Sequence, residues 1–91
     1  MERNIERYLV NKVKSMGGLA LKWVSPGYVG VPDRIVLLPN GKTFFAECKD
    51  TDGRLSPIQA KRIRKLESLG AKVFVVNSKE QIDEMLEEVI S

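Results

Sequence analysis

Three residues carry the chemistry that this sequence can offer: Asp33, then after thirteen intervening residues Glu47, and two positions further on Lys49. The chain has no histidine and a single cysteine, Cys48. Histidine-based triads, mixed Cys/His zinc sites, four-cysteine zinc sites and an intrachain disulfide are therefore excluded. Carboxylates, lysines, hydroxyls and oxygen-ligated metal remain. Asp33 ends the string Gly30-Val31-Pro32-Asp33, in which Gly30 and Pro32 suit a tight approach that aims the aspartate inward.

Whether Asp33 meets Glu47 depends on the turn between them. Asp33–Leu38 and Thr43–Lys49 read as strands joined by Pro39-Asn40-Gly41. A two-residue Asn-Gly turn would pair Pro39 with Lys42 and place Asp33 opposite Cys48. A three-residue loop, a type I turn closed by a left-handed glycine, pairs Leu38 with Lys42 and places Asp33 opposite Glu47 on the same face. Proline first and glycine third favour the three-residue loop. Two carboxylates converging in a half-buried sheet repel unless a cation stands between them. A hard divalent ion such as Mg²⁺ fits, held by Asp33, Glu47 and the main-chain carbonyl of Cys48, with waters completing its shell. Lys49, on the face of Glu47, would orient or help deprotonate an attacking water. On spacing alone, an ordinary surface ion pair of Lys49 with Asp33 or Glu47 is the simpler reading.

The surrounding elements follow from periodicity. A first helix over 2–16 places Ile5, Leu9, Val13 and Met16 on one stripe and stops at Gly17-Gly18. Leu19–Val24 reads as a strand, with Trp23 taken as core and Lys22 on the opposite face, directed at the site. After a loop over 50–55, Ser56, Pro57 and Gln59 form a helix start with a capping box. Ile58, Ile63, Leu66 and Leu69 are its expected buried stripe. Lys72–Val76 is expected to be a strand buried on both faces. A last helix from Ser78 packs through Ile82, Met85, Leu86, Val89 and Ile90. The order αβββαβα gives one domain, 1–91, with a mixed sheet and helices against it.

Apolar residues make up 43% and charged residues 30% of the 91-residue chain, a globular balance. No apolar run approaches the roughly 20 residues that span a bilayer, and Met-Glu-Arg-Asn is not a secretory signal. A reducing cytoplasm and no membrane partner are expected. The net charge of +3 hides 14 basic against 7 acidic residues over 1–77, followed by an acidic segment over 78–91. A basic body points to an anionic partner. Lys61, Arg62, Arg64 and Lys65 crowd the second helix; a solvated face is the ordinary fate of such a run, and phosphate contact the functional one. Tyr28 precedes the motif in a loop, where contact with DNA and simple packing read alike.

The run Gly-Val-Pro-Asp, thirteen residues, Glu-Cys-Lys resembles the PD-(D/E)XK nuclease motif. The chain from Glu6 to Val76 resembles a stand-alone VRR-NUC (virus-type replication-repair nuclease) domain. Gly17-Gly18, Lys22-Trp23, Leu55-Ser56-Pro57-Ile58-Gln59 and Leu69-Gly70 carry that likeness beside the motif. The resemblance implies an α/β fold: a restriction-endonuclease-like αβββαβ core, here with a C-terminal helix. It implies Mg²⁺ or Mn²⁺ bound by Asp33 and Glu47, with Lys49 as the catalytic lysine. It also implies a first-helix glutamate at the edge of the site, for which Glu6 is better held than Glu2, nearer the fraying end. The resemblance also implies that Gln59 faces the site as a catalytic residue that positions water or phosphate, a role that competes with its place in the capping box; the site role is preferred.

These readings converge on a metal-dependent endonuclease acting on structured DNA. Lys22, Lys61, Arg62, Arg64 and Lys65 are its candidate DNA contacts. The absence of a sequence-reading helix or zinc module argues for recognition of shape. The resemblance extends to a homodimer resolving four-way (Holliday) junctions, whose twofold symmetry suits two opposed cuts. Two rivals are a nucleic-acid-binding module that has lost activity, against which the intact Asp33, Glu47 and Lys49 speak, and a small scaffold domain without affinity for DNA.

Overall fold

The computed structural model describes residues 3–91. Along the chain run α1 (Arg3–Ser15), β1 (Leu19–Lys22), β2 (Arg34–Leu38), a single 3₁₀ turn (Pro39–Gly41), β3 (Lys42–Cys48), α2 (Pro57–Ser68), β4 (Val73–Val76) and α3 (Lys79–Ile90). The four strands form one mixed sheet in the order β1-β2-β3-β4, antiparallel except for the parallel β3–β4 pair. This is the expected αβββαβ core with a C-terminal helix.

The two sheet faces do different work. Strand alternation sends Ala20, Val36, Leu38, Phe44, Ala46 and Cys48 to one face, where they pack with Leu9 and Val13 of α1 and Ile82, Met85 and Leu86 of α3. Leu9, Val13, Val36 and Ile82 are fully buried, each contributing roughly 1.5–3 kcal/mol against exposure. The Tyr8 hydroxyl donates to Asp83 Oδ1 at 2.7 Å and ties α1 to α3. The opposite face carries Asp33, Ile35 and Leu37 of the β2 segment beside Phe45 and Glu47 of β3, and α2 covers only part of it.

That partial cover corrects several expectations. β4 is not buried on both faces: it is an edge strand, and Val75 is 44% exposed. Of the four apolar residues expected to anchor α2, only Ile63 is buried and Leu66 half-buried, while Ile58 and Leu69 are exposed. In α3, Ile90 is likewise exposed. The first strand stops at Lys22 rather than Val24, because Ser25-Pro26 turns the chain; Trp23 N–H still bonds Asp33 O at 2.9 Å. Trp23 is half-buried and packs on Phe45 with ring centroids 4.9 Å apart.

The α1–β1 connection is the tightest point of the frame. A Cβ added to Gly18 would stand 2.3 Å from Leu37 O and 3.1 Å from Val13 Cγ1. Backbone must move to admit it, so Gly18→Ala is expected to lower stability by about 2 kcal/mol. Gly27, with open space around the same position, serves as control: Gly27→Ala should stay within about 0.5 kcal/mol. Denaturant titration of the two variants checks both values.

Candidate active site

The hairpin register builds the site. Leu38 pairs with Lys42 and Arg34 with Ala46, and one further step sets Asp33 opposite Glu47. The loop has the expected three residues, but its geometry differs: Asn40 (φ 68°) as well as Gly41 (φ 76°) is left-handed. Asparagine tolerates that region better than other residues with a Cβ. The register that a two-residue turn would have imposed, Asp33 against Cys48, is not adopted.

Asp33 is aimed by what precedes it. Pro32 is fully buried. Gly30 has φ +90°, and a Cβ there would lie 3.0 Å from Arg62 Cγ and 3.1 Å from Ile58 Cγ1 of α2. Glycine is needed on both counts. Arg62 Nε donates to Val29 O at 2.7 Å, and its guanidinium lies 3.9 Å from the Tyr28 ring centroid. The loop into Asp33 is thus clamped onto α2, and Asp33 Oδ2 accepts the Cys48 N–H at 2.9 Å. Because Lys49 N–H faces β4, bonding Val76 O, the Cys48 N–H and carbonyl both face the β2 side, beside Asp33.

Among the described residues Glu47 is the one buried charged side chain, only 2% exposed. Its Oε2 takes two donors, Lys49 Nζ at 3.2 Å and Gln59 Nε2 at 3.0 Å. Its Oε1 is buried without any partner. Burial first, and the charge of Asp33 second, hold the Glu47 carboxyl above its ordinary range, against the opposing pull of Lys49. The same surroundings push the Cys48 thiol up to about 12, through burial first and then the charges of Asp33, Glu6 and Glu47. Cys48 offers its main chain to the site and no thiolate.

Gln59 completes the capping box and also reaches the carboxylate of Glu47, two placements that the sequence set in competition. Its Oε1 accepts the Ser56 N–H at 3.0 Å and its N–H donates to Ser56 Oγ at 3.2 Å, completing the capping box. The amide's other end, Nε2, donates to Glu47. A glutamine has separate acceptor and donor ends, so one side chain serves helix and site together.

A cleft of about 380 Å³ gathers Glu6, Asp33, Glu47, Cys48, Lys49 and Gln59, with Asp50, Gly53 and Arg54 from the loop after β3. Glu6 reaches it from α1, steadied by Arg34, whose Nε donates to Glu6 Oε2 at 2.8 Å and whose Nη1 donates to Ala20 O at 3.1 Å. Glu2 lies outside the described residues. Of the basic residues expected at DNA, none lines this cleft. Lys61, Arg64 and Lys65 are exposed on α2, Arg62 is committed to the Tyr28–Val29 loop, and Lys22 lies in a neighbouring cleft with Arg34. Sequence reasoning missed Arg34, Asp50 and Arg54. Arg34 alternates away from Asp33, and only the fold shows that Glu6 meets it there. Asp50 and Arg54 had one signal, their place between the end of β3 and the start of α2.

The donor chemistry fits a hard divalent cation. A buried carboxylate oxygen without a partner, beside a second carboxylate and a main-chain carbonyl, is an incomplete oxygen set that a cation would complete. Among the described residues no group of three or more His, Cys, Asp or Glu side chains is placed to hold a metal ion. The fit is therefore to an ion that keeps several waters, as Mg²⁺ does, rather than to a closed cage.

Comparison with known proteins identifies the family and the fold. The family model of the VRR-NUC domain matches residues 6–80. A phage protein, "Putative nuclease p44" of Acyrthosiphon pisum secondary endosymbiont phage 1, is 47% identical over 79 residues, covering 87% of this chain and 85% of its own. A solved structure described as a VRR-NUC domain superposes with a TM-score of 0.88 at 34% identity, covering 94% of each chain.

The raised Glu47 carboxyl has a stability consequence when divalent ions are chelated. The native state disfavours the ionised form, so the penalty is present above the raised folded value and disappears below the ordinary carboxylate range. Glu47→Gln is therefore expected to exceed the wild type in stability at pH 7 by about 1 kcal/mol. The gap should close as the pH falls into the ordinary carboxylate range. Urea titrations in EDTA across pH 4–8 measure it, and equal stability at every pH would contradict a strained carboxylate.

Proposed function

The chain is a member of the VRR-NUC domain family, and from that premise we propose that it is a Mg²⁺- or Mn²⁺-dependent endonuclease hydrolysing phosphodiester bonds in structured DNA, the whole of 1–91 acting as one nuclease domain. The observation that carries this reading is the buried, half-partnered carboxylate of Glu47, set opposite Asp33 and 3.2 Å from Lys49 Nζ.

Asp33, Glu47 through Oε1 and the Cys48 carbonyl would hold the cation. When bound, it would supply Lewis acidity and lower the pKa of a water for attack on phosphorus. Lys49, steadied by Glu47 Oε2, carries a positive charge to where negative charge develops on the attacking water or the phosphorane. Gln59 presents only a donor toward the site, because its acceptor end is occupied by Ser56; it orients Glu47 and excludes a competing acceptor. Glu6, fixed by Arg34, closes the α1 side of the cleft and completes the metal or water network. Outside the cleft, Lys61, Arg64 and Lys65 offer charge for the backbone without reading sequence.

We further propose that two copies pair and resolve four-way junctions. Leu19, Leu21 and Leu37 lie together on the sheet face that α2 leaves uncovered, 55%, 45% and 37% exposed. Such a patch on an edge strand and its neighbour supports an interface, and a twofold pair would present two matched sites. No described helix is long and apolar enough to cross a membrane. A bacterial or phage-infected cytoplasm is the setting proposed.

Two expectations test these readings. With a junction substrate and Mg²⁺ or Mn²⁺, Lys49→Ala should lower turnover by about 10³-fold yet keep metal and DNA affinity, because its contribution lies in the transition state. Asp33→Ala should lose divalent binding in calorimetry. A wild type that binds DNA but never cleaves it would select the inactive binding module instead. For assembly, light scattering should give twice the chain mass, and Leu21→Glu should give a folded monomer that nicks junctions without resolving them. A wild-type monomer that resolves junctions fully would end the dimer.

A further inference from the structure

Beside the catalytic cleft lies a second one, of about 310 Å³, lined by Glu6, Arg7, Val10, Lys22 and Arg34. The two share a single residue, Glu6, and their charges are opposite. Four carboxylates, Glu6, Asp33, Glu47 and Asp50, face two cations, Lys49 and Arg54, in the first. Three cations face one carboxylate in the second. The Glu6–Arg34 pair divides them, and it is internally satisfied: Arg34 spends Nε on Glu6 and Nη1 on Ala20 O, and both side chains are 19% exposed. Arg7 and Lys22 are exposed, and among the described residues neither has an ion-pair partner.

Arg7 comes from α1, one residue past Glu6, and Lys22 from the end of β1, where it is the cross-strand partner of Arg34. They therefore converge from two elements that are rigidly tied by Arg34. Unpaired cations held on rigid supports attract a compact anion. By contrast, Arg62 on α2 is already used by Tyr28 and Val29.

We propose that Arg7 and Lys22 form a phosphate-binding subsite on the α1 side of the sheet, which takes a backbone phosphate adjoining the one at the Asp33–Glu47 cleft. This rests on the nuclease reading for its ligand, a nucleic-acid strand. It adds the path: the strand crosses the end of the sheet from α2 to α1, over the Glu6–Arg34 divider.

The test is binding of a fluorescein-labelled four-way junction, by anisotropy in EDTA over a range of salt, so that cleavage plays no part. The double variant Arg7→Gln/Lys22→Gln should bind about tenfold more weakly, with the slope of log affinity against log salt shallower by about 1. Its thermal midpoint should match the wild type, since both side chains are exposed. Lys12→Gln/Lys14→Gln removes the same charge further along α1 and should stay within about twofold in affinity. With Mg²⁺, the first double variant should raise KM and leave kcat unchanged. Wild-type affinity and slope in Arg7→Gln/Lys22→Gln would overturn the subsite, as would equal losses in both double variants, and the nuclease reading would survive either result. A wild type that binds no DNA, in EDTA or with Ca²⁺ in its place, overturns both.

Discussion

Burying the Glu47 carboxylate opposite Asp33 is the constraint around which the chain is arranged. Two like charges in one half-buried pocket oppose folding unless each is met by donors. Three donors are supplied from three places: Lys49 from just past the end of β3, Gln59 from the first turn of α2, and the Cys48 N–H, which bonds Asp33. The compensation stops short by one atom. Glu47 Oε1 remains buried and unmet, and a cradle of this kind is stable enough to persist while keeping one acceptor oxygen unsatisfied. Filling Oε1 with another protein donor would steady the fold and close the site.

The division of the sheet into two unlike faces makes that strain tolerable. Nearly all the fully apolar burial lies on the face under α1 and α3, so stability is secured away from the carboxylates. The face bearing Asp33 and Glu47 has a single buried α2 residue, Ile63, and exposed leucines towards β1. A domain of this size has little core to spare, and it concentrates that core on the face away from Asp33 and Glu47.

Local chemistry fixed more of this in the sequence than global packing did. Pro39-Asn40-Gly41 was enough to set the hairpin register, because loop length decides pairing even when, as with Asn40, the turn's dihedrals differ from those expected. Ser56 and Gln59 marked the start of α2 for the same reason. Burial was read less well. The pattern Val73–Val76 cannot say that β4 is an edge, and the spacing of Ile58 and Leu69 cannot say that Ile63 alone of the α2 stripe is fully buried. Lys22 shows the limit most clearly. Alternation placed it correctly opposite Trp23, but the site lies across the end of the sheet, so the same alternation set it in the adjoining cleft beside Arg34.

Gln59 shows why this position suits glutamine rather than the other residue that completes a capping box. Glutamate at the third helical position would accept the Ser56 N–H equally well and would favour the positive end of the helix dipole. Its second oxygen, however, would face Glu47 Oε2 where Nε2 now donates at 3.0 Å, adding a third carboxylate to a pocket already strained by two. The amide resolves the conflict because its acceptor end is fixed by the cap, which leaves only the donor end to point inward. Helix initiation and site assembly are therefore the same event: α2 cannot start in its observed register without delivering a hydrogen-bond donor to Glu47. The dependence also runs the other way, since the carboxylate that needs this donor holds the first turn of α2 against the sheet.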